Sequence, residues 1–217
     1  SHELRTPVSV IRANSETLVD GALDNKKQSK VFAKAILHNA ERLSDMVSSL
    51  LDLSRIDYGE LKLNIEELPI NEHINKAIDS LKNLGKRKNI SIMCSCSKGK
   101  IVLADKNALE RILNNLIENA FKYSDYQSTI NISTKKVKDY LEISVKDSGR
   151  GIPDEEQDFL FDRFYRTAEA RATEEKGSGL GLAIVKNLVN NLNGEVGVKN
   201  AKPQGSIFWF TLPLKTS

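Results

Sequence analysis

No run of apolar residues in this 217-residue chain approaches the ~20 needed to span a bilayer, so no membrane-spanning helix and no direct membrane contact are expected within it. Cysteine is scarce: only Cys94 and Cys96 occur, within Ser91-Ile-Met-Cys-Ser-Cys-Ser97. On a strand these two share a face, a poor arrangement for a disulfide. No further Cys or His pair stands ready to complete a zinc site, so a reducing compartment is expected. Charge of one sign is missing too. The 32 basic and 29 acidic residues are interspersed and leave a net +3, which gives nucleic acid or an anionic membrane surface no hold. An initial methionine is also lacking, and an upstream segment is expected. What remains, 40% apolar and 28% charged, reads as globular and long enough for two domains.

The first seven residues, Ser1-His2-Glu3-Leu4-Arg5-Thr6-Pro7, carry the first candidate chemistry. Imidazole titrates near physiological pH, and a carboxylate beside it makes His2 a candidate nucleophile with Glu3 as its base. On a helix His2 and Thr6 lie four apart on one face, with Glu3 three from Thr6. Pro7 leaves the carbonyl of Glu3 without its helical donor and favours a kink there.

From Leu4 the apolar positions Leu4, Val8, Ile11 and Leu18 step by fours and threes to a stop at Asp20-Gly21. A longer run follows with Ile36, Ala40, Leu43, Val47 and Leu50, widening through Leu51 and Leu53 to Ile56. Two helices with one greasy stripe each cannot cover both, so a second copy is expected to complete a four-helix bundle, making a homodimer. The domain division expected is 1–60 for the hairpin, 61–69 for a linker and 70–217 for a second, α+β domain. There, Ile70 to Leu84 reads as a helix and Ile90 to Cys96 as a strand. Ile101 to Leu103 is a brief strand, with Asp105 capping a helix from Lys106 to about Lys122. Strands are expected over Thr129 to Lys135, Tyr140 to Lys146, Gly194 to Lys199 and Ser206 to Leu212, and helices after Pro153 and from Leu180 to Leu192. Trp209, between Phe208 and Phe210, is expected in the core.

The second constellation begins on the Lys106 helix. Asn115, Asn119 and either Lys122 or Tyr123 fall on one side, where an amide oxygen suits Mg²⁺ and a lysine suits phosphate. Asp147-Ser-Gly-Arg-Gly151 then sets a carboxylate at a strand end beside glycines that let the backbone approach a flat ligand, as an adenine amino group would need. Gly177-Ser-Gly-Leu-Gly-Leu182 is a glycine-rich turn running into a helix N-terminus, where free N–H groups favour phosphate.

In this order the stretches closely resemble the cytoplasmic catalytic core of a sensor histidine kinase of two-component signalling. Ser1 to Pro7 is similar to the H box, Asn115 to Ser124 to the N box and Asp147 to Gly151 to the first G box. Phe161-Asp-Arg-Phe164 is similar to the F box, and Gly177 to Leu182 to the second G box. The stretch Leu18-Val-Asp-Gly-Ala22 resembles the phosphate-responsive branch. The resemblance implies a dimerisation and phosphotransfer hairpin followed by a Bergerat-type ATPase domain, an α/β sandwich, with ATP and Mg²⁺ as cofactors. It implies a cytoplasmic portion of a membrane-anchored bacterial sensor, whose partner is the receiver domain of a response regulator.

Carried over, the resemblance makes His2 the acceptor of the γ-phosphoryl group and Glu3 the base at the other ring nitrogen. Asn119 would bind Mg²⁺, with Asn115 beside it; Lys122 would face phosphate and Tyr123 the adenine, and Asp147 would read the adenine amino group. Gly149 and Gly151 belong to the same nucleotide-contacting set. Gly177, Ser178, Gly179, Leu180 and Gly181 would form the lid over the triphosphate, anchored by Phe161 and Phe164. Glu3 with Thr6 resembles the Glu-x-x-Thr pair that removes phosphate from the partner, so a bifunctional kinase and phosphatase is expected. The chain departs from the family at Lys176, where a glycine is frequent, and in lacking the helical turn that precedes the histidine. The rival reading is an ATPase of the same superfamily that uses ATP as a conformational switch, without histidine phosphorylation; such proteins lack a His-Glu-x-x-Thr-Pro hairpin.

Overall fold

The computed structural model describes residues 2–57, 62–86, 88–172 and 177–215. Helices α1 (His2–Val19) and α2 (Lys26–Asp57) form a hairpin joined by a 3-10 turn, Ala22–Asp24. Gly21 enters that turn at φ 123°, a backbone angle open to glycine and strained for other residues. Asn25 caps α2 by accepting from the amides of Lys27 and Gln28 at 3.1 and 3.2 Å. Val8, Val31, Leu37, Val47 and Leu51 remain exposed along the hairpin.

The second unit runs β1 (Ile65–Pro69), α3 (Ile70–Lys86), β2 (Ser91–Ser95), β3 (Ile101–Asp105), α4 (Lys106–Tyr123), β4 (Thr129–Val137) and β5 (Tyr140–Lys146). It continues with α5 (Asp154–Gln157), α6 (Ala168–Ala172), α7 (Gly181–Asn191), β6 (Val196–Asn200) and β7 (Ser206–Pro213). The main sheet has the order β2-β4-β5-β7-β6, antiparallel except for the β2–β4 pair, and β1 and β3 form a separate two-stranded ladder. Helix α4 buries Leu109, Ile112, Leu113, Leu116 and Ile117 completely, at the i, i+3, i+4 spacing of a single helical face. They belong to the same core as Ile130 and Ile132 of β4, Leu141 and Ile143 of β5, and Phe210 and Leu212 of β7, which alternate along their strands. The result is an α/β sandwich.

Two details depart from expectation. The stretch 61–69 contains β1, whose Leu68 is buried opposite Val102, so it contributes a strand rather than a bare link. Trp209 does not enter the core: the period of two that turns Phe208 and Phe210 inward sends it to the other face, where its indole lies close over Gly197. The hairpin also touches the second unit. Leu53 of α2 is fully buried in its core, and Asp52 accepts from Arg111 at 2.6 Å.

His73 of α3 is 4% exposed, its Nδ1 is 3.8 Å from Glu110 Oε1, and burial holds its pKa below the ordinary value. A histidine depressed in the folded state binds fewer protons there than when unfolded. Its contribution is therefore intact above about pH 6.5 and is lost as pH falls through that value. Chemical denaturation at pH 7.5 and pH 5.5 should show wild type losing more stability on acidification than His73→Gln. Equal losses would refute this.

Candidate active site

Every element of the candidate site is set by the end of a strand or helix. The Asp105 carboxylate starts α4 by accepting from the amide of Ala108 at 2.9 Å, which fixes the helical phase of everything downstream. That phase delivers Asn115, Asn119, Lys122 and Tyr123 to one cavity of about 600 Å³. Asp147, Gly149 and Gly151, beyond the end of β5, line it from a second side, and Gly177, Ser178, Gly179 and Gly181 from a third. Asn115 donates to the carbonyl of Arg111 at 2.8 Å, and its Oδ1 lies so close to Gly181 that a Cβ there would come within 2.6 Å. Lys122 Nζ donates to the Tyr123 hydroxyl at 2.9 Å and sits 4.7 Å from that ring's centre, next to Gly177. Asn119 lines the same cavity, and an Asn oxygen near an ammonium group suits a hard cation and phosphate oxygens together.

Asp147 is the electrostatic focus. It is 3% exposed, and burial raises its pKa above the ordinary carboxylate value, against the opposing pull of its hydrogen bonds. Oδ1 accepts from the amides of Gly149 at 2.9 Å and Ser206 at 3.0 Å. Two carboxylate oxygens offer about four acceptor positions, so capacity remains for a ligand N–H. At Gly149 a Cβ would meet the carbonyl oxygen of Tyr123 at 2.6 Å, so only glycine lets the loop close against α4. Gly179, at φ 70°, accepts from the amide of Phe164, and a Cβ there would meet the Phe164 backbone at 2.7 Å. Leu180 gives α7 no side-chain cap, which leaves the first amides of that helix for an anion. A buried acceptor at one end and an uncapped helix start beside an ammonium group at the other suit an amino-bearing flat ring joined to a phosphate chain.

Not every expected residue reaches the cavity. Phe161 and Phe164 pack against the core behind it, and Leu180 is fully buried; they support the loops without lining the space. Arg166 lines the cavity and donates to the carbonyl of Ala170, whereas Arg171 sits over the Tyr165 ring at 5.9 Å. Arg150 pairs with Glu169, tying the first glycine loop to α6. His2 and Glu3 stand in the first turn of α1, but their side chains lie outside the described residues, as does Lys176; Thr6 is exposed on α1. Sequence reasoning passed over Lys88, Ser124 and Ser206, all in the cavity wall. Ser206 acts on Asp147 from 59 residues away through its amide, for which no sequence pattern exists.

Two family models match the chain. Residues 104–216 match the family described as histidine kinase-, DNA gyrase B- and HSP90-like ATPase. Residues 1–59 match the His Kinase A (phospho-acceptor) domain. The sensor-like histidine kinase SenX3 of Mycobacterium bovis is 36% identical over 98% of this chain and 52% of its own length. The sensor histidine kinase WalK of Bacillus subtilis is 34% identical over 99% of this chain and 36% of its own. The chain thus spans about half the length, or less, of these curated relatives. The solved structure of Acinetobacter baumannii histidine kinase AdeS superposes with a TM-score of 0.82 at 26% identity, covering 100% of this chain and 99% of that one.

Proposed function

This chain belongs to the sensor histidine kinase family, and from that premise we propose that it phosphorylates itself on His2 from ATP and passes the phosphoryl group to an aspartate of a response-regulator receiver domain. The observation that carries this reading is the single cavity in which Asn115, Asn119, Lys122, Asp147 and the Gly177–Gly181 turn converge, on the same chain as a phospho-acceptor hairpin.

In this mechanism Asp147 accepts from the adenine amino group and Tyr123 borders the ring. Lys122 and the uncapped start of α7 hold the phosphates. Mg²⁺, which the side-chain oxygen of Asn119 would hold with Asn115 beside it, neutralises phosphate charge when bound. As one imidazole nitrogen of His2 attacks with its lone pair, Glu3 takes the proton from the other, so the phosphorylated ring is left neutral. The new P–N bond forms as the bond from the γ-phosphorus to its bridging oxygen breaks, and ADP leaves. In the second step an aspartate oxygen of the receiver attacks the same phosphorus, and the P–N bond breaks. Both steps need positioning and charge neutralisation more than covalent help from the protein.

Exposed Val8, Val31, Leu37, Val47 and Leu51 support pairing of two hairpins into a four-helix bundle. Among the described residues no helix is long and apolar enough to cross a membrane. We place the chain as the cytoplasmic core of a membrane-anchored sensor, with the phosphotransfer hairpin over 1–60 and the catalytic unit beginning with β1, within the 61–69 stretch, and running through 70–217. The rival reading, an ATP-driven switch without histidine phosphorylation, gives no role to the phospho-acceptor hairpin. Incubation with ATP and Mg²⁺ separates the two by intact mass: a covalently retained phosphoryl group is expected, whereas ADP release with no mass gain would favour the switch.

To Thr6, one turn beyond His2 on α1, we assign the orienting of water for removal of phosphate from the receiver. Thr6→Ala should therefore leave phosphorylation of His2 within about twofold and reduce phosphatase activity at least about tenfold. Parallel assays of the two activities check this, and equal loss of both would point to a damaged helix.

A further inference from the structure

The last carbonyls of a helix have no amide partner four residues on and must find one elsewhere. In α4 the last two residues, Lys122 and Tyr123, line the cavity together with Ser124, and the C-cap amide of Ser124 closes only one earlier bond, to Ala120. The carbonyls of Lys122 and Ser124 both accept from a residue outside the helix, Lys88, whose Nζ lies 2.5 and 3.0 Å away. Lys88 follows α3 in sequence, and its own carbonyl accepts from the amide of Gln127 at 2.9 Å, so backbone and side chain together clip the α3–β2 turn to the end of α4. An ammonium group at this place also sits at the negative end of the helix dipole.

The tie continues into the ligand-facing loop. The Ser124 hydroxyl accepts from the amide of Ser148 at 3.2 Å, directly after Asp147, and Gly149 presses against the carbonyl of Tyr123. We propose that Lys88 is a positioning residue for nucleotide binding: it locks the last turn of α4 against the first glycine loop and so sets the spacing between Lys122, Tyr123 and Asp147. The inference rests on the reading that this cavity takes an adenine nucleotide. Lys88 acts through the carbonyls of Lys122 and Ser124. Removing its charge takes this donor from both carbonyls, one of them on a residue that is 2% exposed, and lets the α4 terminus shift relative to Asp147.

Calorimetric titration of the whole chain with ADP and Mg²⁺ tests this through the split between affinity and stoichiometry. Lys88→Met should raise Kd about tenfold while stoichiometry stays that of wild type. Lys88→Arg, which keeps the charge and the donors, should stay within about threefold of wild type. A residue needed only for folding would instead lower the stoichiometry and leave the Kd of the folded fraction unchanged, and that result would overturn the proposal. So would a Met variant that binds as wild type does, or an Arg variant that falls as far as the Met variant. Wild type failing to bind ADP would refute the nucleotide reading, and with it the role of Lys88; wild type binding beside an unaffected Met variant refutes the role of Lys88 alone.

Discussion

Asp147→Asn should weaken ATP binding by about ten- to a hundredfold and leave the fold as stable as before or more so. The affinity estimate follows from the ~1.5–3 kcal/mol typical of a hydrogen bond to a charged group, with 1.4 kcal/mol per factor of ten. The substitution also presents an NH₂ group where two backbone amides and a ligand N–H all seek an acceptor. The stability estimate follows from the direction of the pKa shift. Burial raises the Asp147 pKa, so the folded state binds this proton more tightly than the unfolded state does. Stability is then lost as pH rises from the unfolded value through the folded one, and at neutral pH the buried charge is a burden. Asparagine removes it while its oxygen can still accept from Gly149 and Ser206. Calorimetry with ATP and Mg²⁺, paired with a thermal melt, checks both halves. Unchanged affinity would remove Asp147 from the adenine site, and a collapsed melting temperature would make its role structural.

His2→Gln should reduce self-phosphorylation to background while nucleotide affinity stays within about twofold of wild type. Glutamine approximates the length and polarity of histidine but has no ring nitrogen with a free lone pair to form a P–N bond. His2 belongs to α1, whereas the cavity is built from α4, α7 and the loops beyond β5, so the two proposed functions should separate cleanly. A large loss of affinity in this variant would contradict the separation, and residual label would mean that another side chain accepts the phosphoryl group. Binding and labelling measured on one preparation distinguish these results.

The parts of the fold legible in the sequence were those with a strong period or a side-chain cap. Helix α4 announced itself through Asp105 as its cap, and β4, β5 and β7 through alternation about Ile130, Ile143 and Phe210. Strand β1 was hidden because Glu66, Glu67 and Pro69 interrupt any apolar pattern, and its pairing is with β3, far along the chain. Trp209 misled because size suggested burial, whereas the register of β7 decides which face it takes. In the site, the residues that present their own functional groups were legible: Asn115, Asn119, Lys122, Asp147. Lys88 and Ser206 were not, because they act through backbone carbonyls and amides brought near by folding alone. Phe161, Phe164 and Leu180 were legible as a pattern, but the structure turns them into packing behind the loops.

The central claim, that the chain carries phosphate on His2, is tested most directly by incubation with γ-labelled ATP and Mg²⁺ followed by acid, base and peptide mapping. A protein-bound label that is lost in acid, survives base and maps to His2 is the predicted result. A label stable in acid, or one mapping to a residue other than His2, would contradict it.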